Sequence, residues 1–242
     1  MTPSDGATMA SGGTKERPIL FSGPMVRALL ADAKTQTRRI LKLRTKPNRL
    51  IYSPLYQPRL RADGLWSDSH CLPFSCPYGQ PGDRLWVRET HAQFAVGNRS
   101  GKAPQCVAYR ATCEGDSFDY VNNGDEIMRI SVSKWTPSIH MPRWASRINL
   151  EITEVRVERL QEISEEDAEA EGIEGQSEPT GGDDYNAVYR NYLATKGDAA
   201  TYPWLREDPI GSYRSLWNSI NGPGSWDLNP WVWAISFKKA AQ

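Results

Sequence analysis

Apolar residues alternate with polar ones in some stretches of the chain and recur every three to four residues in others. Arg17 to Phe21 is a short strand by residue type. Ser22-Gly23-Pro24 follows as a helix start, since Ser22 can cap and proline is tolerated in a first turn. Val26, Leu29, Leu30 and Ala33 then share one face, so the helix is expected to end near Ala33 or Lys34. The turn Gln80-Pro81-Gly82-Asp83 leads into a strand over Arg84 to Thr90, and Cys106 to Thr112 is another. Arg147 to Leu160 is the clearest strand. Its Ile148, Leu150, Ile152, Val155 and Val157 mostly alternate, with a break of phase near Thr153.

The second half adds short helices. Ser164-Glu165-Glu166-Asp167 has a capping-box pattern and opens a helix through Glu171, stopped by Gly172. Ser212 to Ile220 is a helix with Ser212 as cap and Tyr213, Leu216, Trp217 and Ile220 on one face. Trp231 to Phe237 is apolar on both faces, as a buried closing strand would be. Between these lie less regular segments. Arg44 to Pro81 is irregular, with a short hairpin around Ala62-Asp63-Gly64, and Asn122 to Asp125 is a turn. Lys134 to Trp144 carries Pro137 and Pro142 and cannot be a central strand. Gly175 to Gly211 is an insertion or lid, with a short helix at Tyr185 to Leu193.

Strands dominate and no repeat is visible, so the expected class is α+β: a small β-barrel with short helices on its rim. One domain is expected over residues 17–240, with insertions near 44–80, 93–134 and 175–211. The Ser-, Gly- and Thr-rich residues 1–16 read as a disordered tail.

Composition narrows the function. The 242 residues are 39% hydrophobic and include nine Trp, enough for a substantial aromatic core. No stretch is apolar enough to span a bilayer and no signal-peptide core begins the chain, so a cytoplasmic protein with no membrane partner is expected. Basic and acidic residues balance at 29 each, which argues against coating nucleic acid by bulk charge but not against a local basic site. The four cysteines form no C-x-x-C pair. His70-Cys71 with Cys76 is a weak zinc candidate, and reduced thiols are the plainer reading. There is no G-x-S-x-G, P-loop, G-x-G-x-x-G or H-E-x-x-H.

The segment Lys34-Thr35-Gln36-Thr37-Arg38-Arg39 carries the most suggestive chemistry. A threonine hydroxyl needs a base to become a nucleophile, and a desolvated lysine can be that base. The plain alternative is that Lys34 meets the carbonyls of the preceding helix and Thr35 and Thr37 are ordinary strand residues. Spacing does not separate the two.

The same segment, preceded by Leu30-Ala31-Asp32-Ala33, resembles the signature of the ASCH superfamily, whose fold is a PUA-like β-barrel. Asp32-Ala33 stands where that family has Gly-Arg. Pro81-Gly82-Asp83 with Arg84-Leu85-Trp86-Val87 resembles its G-D-x-L-x-V element, and the strand and acidic helix over residues 148–173 also match in kind. Residues 17–239 further resemble phage and prophage proteins labelled morphogenetic, through K-T-Q-T-R-R, P-G-D-R-L-W-V-R-E-T and P-S-I-H-M-P-R-W-A-S-R.

Within the ASCH superfamily, N4-acetylcytidine amidohydrolases use a Lys, a Thr three residues later and a Glu. The resemblance places these on Lys34, Thr37 and Glu171, with Asp167 the alternative carboxylate one turn away. It implies hydrolysis of an N4-acylated cytosine or cytidine without metal or cofactor. Either Thr37 attacks, with Lys34 as base, or water attacks an amide that Thr37 positions. Arg39 or a backbone amide would stabilise the oxyanion and Trp86 or Trp144 would stack on the base. Glu89, His140 and Arg143 are further candidate contacts from a strand end and a proline-flanked loop. The alternative function is an RNA-binding module or ribonuclease, with Arg38, Arg39, Lys42, Arg44 and Lys46 as a phosphate-tracking strip.

Overall fold

The structure is a computed structural model that describes residues 14–42, 57–62, 65–67, 73–95, 105–113, 115–122, 126–179, 185–193, 204–206 and 208–240. Its centre is a five-stranded sheet built from β1 (Glu16–Leu20), β2 (Gln36–Ile40), β3 (Arg84–Arg88), β4 (Asn149–Arg159) and β5 (Trp231–Lys239). The strand order is β1-β3-β4-β5-β2. Only β1 and β3 run parallel, and the other neighbours are antiparallel. Among the described residues three α-helices accompany the sheet: α1 (Gly23–Leu30), α2 (Glu165–Ala170) and α3 (Pro209–Asn221).

The class is α+β, and among the described residues the expected barrel does not close: β1 and β2 are the two ends of the strand order, with no backbone pairing between them. The sheet is nevertheless strongly curled. Flat, its two edges would lie about 19 Å apart, four interstrand spacings. Instead Arg39 Nη2 on β2 donates to the Leu20 carbonyl at the end of β1, at 2.6 Å. The apolar alternation explains the curl, because it gives the sheet one face to wrap around a core. Val26 and Leu29 of α1, Leu85 of β3, Leu150 and Ile152 of β4, and Ile235 and Phe237 of β5 are all buried in that core.

Several elements follow the pattern closely. The register of β4 against β5 shifts between Ile152 and Glu154, where the alternation changes phase. Ser164 accepts a hydrogen bond from the Asp167 amide and opens α2, and Gly172 after it has φ +77°. Ser22 stands at the start of α1 but makes no side-chain cap bond.

Others differ. α1 stops at Leu30 rather than near Lys34, because Asp32 adopts φ +59°, a left-handed conformation that Asp tolerates better than most residues. α3 begins at Pro209 with Asp208 as its cap, not at Ser212, which is buried and donates to the Arg190 carbonyl. Tyr185–Arg190 is a strand, not a helix. It pairs with Gly175–Pro179 and with Trp204–Arg206, and its Tyr and Val residues suit a pleated surface. The segment near 93–134 forms two antiparallel hairpins, His91–Ala95 with Gln105–Tyr109 and Ser117–Asn122 with Glu126–Ser131. A small sheet of Arg59–Leu60, Trp66–Ser67 and Pro73–Phe74 sets Trp66 and Phe74 edge-on to Trp233 of β5. No helix among the described residues is long and apolar enough to cross a membrane.

Candidate active site

The position of Lys34 follows from how α1 ends. Asp32 turns the chain back on itself, so that the amides of Ala33 and Lys34 both donate to the Ala28 carbonyl. Lys34 then forms an isolated bridge with Glu171, Thr35 donates to the Ala170 carbonyl, and the Phe237 amide donates to Thr35. The chain thus threads between the end of α2 and β5 before β2 begins. Gly172 makes the approach possible. A Cβ there would lie 2.8 Å from Lys34 Cβ and 2.9 Å from Ala28 Cβ, closer than carbon atoms can pack.

Lys34 Nζ donates to the Glu171 carbonyl at 2.6 Å and to Glu171 Oε2 at 2.8 Å. Its side chain is 1% exposed and that of Glu171 is 4% exposed. The Phe21 ring centroid lies 5.6 Å from the same nitrogen. Burial pushes the Lys34 ammonium below the usual lysine range, even though the charge of Glu171 and its hydrogen bond pull the other way. The other carboxylate oxygen, Glu171 Oε1, accepts from Arg38 Nη1 at 3.4 Å and from the Tyr213 hydroxyl at 3.3 Å. Burial and the neighbouring Glu171 charge hold the Tyr213 phenol well above its ordinary range, so it serves as a donor.

Along β2 the side chains alternate, with Thr37 and Arg39 on one face and Gln36 and Arg38 on the other. Arg38 is fully enclosed. Its Nε and Nη2 bind Glu158 Oε1 at 2.9 and 2.6 Å, Nη2 also binds Asp167 Oδ2 at 2.6 Å, and Nη1 reaches Gln36 Oε1 at 2.5 Å. Asp167 additionally accepts from Gln36 and Arg156. Of the two carboxylates one helical turn apart, Glu171 therefore meets Lys34, and Asp167 faces Arg38.

Lys34, Thr37, Arg38, Glu171 and Tyr213 line a cavity of about 400 Å³ at the unclosed seam of the sheet. Leu20 and Phe21 at the end of β1 form one wall, and Lys34, Thr37, Arg38, Arg39 and Ile40 form the opposite one. Ser22 and Met25 of the α1 start, Tyr213, Leu216, Trp217, Ile220 and Asn221 of α3, and Thr90, Ser138 and Glu171 complete it. The volume suits a small-molecule ligand. Arg39 Nε and Trp217 Nε1 are buried without a hydrogen-bond partner among the described residues, so each holds a donor in reserve.

The remaining sequence candidates do not line this cavity. Trp86 is half-buried beneath the guanidinium groups of Arg88 and Arg143, at 5.2 and 5.9 Å from its centroid. Glu89 is buried and bound at both oxygens by Arg147, at 2.9 Å each. Trp144 is 57% exposed, His140 is exposed, and Arg143 pairs with Glu16. The 137–144 loop still contributes through Ser138, and Arg88 anchors it by donating to the carbonyls of Ile139 and Met141. In the basic strip, Arg38 is buried and unavailable to phosphate, Lys42 is exposed, and Arg44 and Lys46 lie outside the described residues. His70 and Cys71 also lie outside them, while Cys76 is buried and its thiol is pushed up to about 11 by burial.

Sequence reasoning offered Arg38 to a phosphate strip rather than to Glu171, and it missed Tyr213 and Glu158. The alternation of β2 could have set Arg38 apart from Arg39, whereas nothing local in the sequence pairs it with Glu158, 120 residues away.

Fold and site together define an α+β protein with an enclosed lysine–glutamate pair and a threonine on one cavity wall. No family model, curated protein or solved structure matches the chain.

Proposed function

We propose that the seam cavity is the active site of an amidohydrolase that removes the acyl group from N4-acylated cytosine or cytidine, on a fold of the PUA-like ASCH kind. The observation that carries this reading is the enclosed contact of Lys34 with Glu171 in a cavity that Thr37 also lines. A lysine deprived of solvent is more often unprotonated at neutral pH than a surface lysine, because burial destabilises its charged form, so its amine is available as a base. Lys34 takes the proton of Thr37 Oγ1 as that oxygen attacks the amide carbonyl. The unspent Arg39 Nε–H faces the developing oxyanion. Lys34 then passes the proton to the exocyclic nitrogen as the C–N bond breaks, and the cytosine leaves with its amino group. Water, deprotonated by Lys34, attacks the Thr37 ester; as the acyl C–O bond breaks the Lys34 ammonium returns its proton to Thr37 Oγ1, and the acid leaves, ionising to the carboxylate in solvent. Glu171 orients the Lys34 amine throughout. The apolar wall of Leu20, Phe21, Leu216 and Trp217 receives the base and the acyl chain.

Rapid-quench mass spectrometry during turnover of N4-acetylcytidine tests the route. The acyl group is expected on the peptide containing Thr37. Turnover without that adduct would assign the attack to water, with Thr37 positioning the amide. No release of cytidine would overturn the reading.

A further inference from the structure

A lysine bound only to a carboxylate is a poor base, because the pair favours the ammonium form. Lys34 does not have Glu171 to itself. Oε2 faces Lys34, but Oε1 is taken by Arg38 Nη1 and by the Tyr213 hydroxyl. Arg38 is in turn held by Glu158 of β4 and Asp167 of α2, with Gln36 closing its remaining side. We propose that Arg38 is a positioning residue for the reaction: by gripping Glu171 Oε1 it fixes the carboxylate that orients Lys34, and it withholds part of that charge from the amine, leaving Lys34 free to accept a proton. The inference rests on the reading of the cavity given above.

The surroundings support this division of labour. Lys34 is faced by Glu171 from the end of α2, by Arg38 and Arg39 from β2, by Tyr213 from α3 and by the Phe21 ring beyond β1. Glu171 is the one acidic group in this set, and both of its oxygens are engaged. Arg38 has no exposed side-chain surface with which to meet a solvent-borne anion. Its lateral grip on Glu158 and Asp167 fixes the guanidinium plane, and Arg156 braces both carboxylates from the other side. A lysine at position 38 would carry the charge but not the fork that spans three carboxylates.

The test reads Lys34 directly. The Lys34 Cε resonance, identified by its loss in Lys34→Arg, is titrated by carbon-13 NMR in wild type, Arg38→Gln and Arg38→Lys. Arg38→Gln is expected to raise the Lys34 midpoint by about one pH unit or more, the effect of a charge change within a few ångströms. The acid limb of kcat/KM for N4-acetylcytidine should move with it. Arg38→Lys, which keeps the charge, should stay near wild type in midpoint while losing kcat through looser placement of Glu171. An unmoved midpoint in folded Arg38→Gln would overturn the proposal. If Arg38→Gln does not fold, Arg38→Gln with Asp167→Asn carries the same comparison with one fewer unpaired carboxylate. The midpoint needs no turnover. A wild type that releases no cytidine therefore fails the amidohydrolase reading, while the midpoint alone decides the role of Arg38.

Discussion

A lysine amine and a carboxylate removed from water are expensive to bury, and a pair is retained when its geometry compensates or when it does chemistry. Lys34 and Glu171 have both the close contact and the cavity. Lys34→Ala is expected to lower kcat/KM for an N4-acylcytidine by about 10²–10⁴, the usual worth of a positioned general base, as read by cytidine release. A second buried group makes a prediction about stability. His91 has no exposed surface, and neither ring nitrogen has a hydrogen-bond partner among the described residues. Burial lowers its pKa below the ordinary histidine value, outweighing the nearby Glu89, which acts to raise it. The folded state therefore favours neutral His91. Its contribution is complete above the unfolded value of about 6.5 and is lost as pH falls below that toward the lowered folded value. The melting temperature is expected to fall across that window in wild type and to fall less in His91→Gln. Spacing offered Lys34 and Thr37 as a pair three residues apart but did not separate that chemistry from an ordinary helix end and strand. Glu171 needed the family resemblance, and Trp86, Glu89 and Arg143 misled because charged or aromatic residues near a strand end or loop pair with each other as readily as with a ligand.

At the scale of elements, the site depends on two chain reversals. Gly172 lets the end of α2 lie against Lys34 in a left-handed conformation. Gly172→Ala would force two sub-3 Å contacts and a strained φ. It is expected to cost about 1–3 kcal/mol by urea denaturation and to reduce activity, since Glu171 is its neighbour. α3 supplies Tyr213 and Trp217, and it is capped by Asp208, whose carboxylate accepts from the Gly211 amide at 2.7 Å. Asp208→Ala is expected to cost about 0.5–2 kcal/mol, read as a lower melting temperature. Both reversals were partly legible. Gly172 stood out as a helix stop. Asp208-Pro209 was obscured by Ser212, which has the right chemistry for a cap but spends its hydroxyl on Arg190. The irregularity of β4 was visible because alternation changes phase there, and β5 because Trp231 to Phe237 carries apolar residues on both faces. Tyr185–Arg190 was misread because a short segment fits either period, and pairing with Gly175–Pro179 decides it.

For the whole molecule, function depends on a sheet that curls without closing. Composition and alternation specified a β-rich α+β fold and led to the expectation of a small barrel, but whether the sheet's edges pair depends on the side chains at the seam. There Arg39 bridges β2 to the Leu20 carbonyl, and α1 and α3 flank the gap that remains. That gap brings together residues from positions 20 to 221, a convergence that no local pattern encodes. The central claim is that this gap hydrolyses an acylated cytosine through Lys34, Thr37 and Glu171. The most direct measurement is initial-rate release of cytidine from N4-acetylcytidine by folded wild type and by Lys34→Ala, Thr37→Ala and Glu171→Ala. Steady release by wild type, with losses of about a hundredfold or more in each variant, is the result expected. Activity that survives all three substitutions, or a folded wild type that releases none, would contradict it.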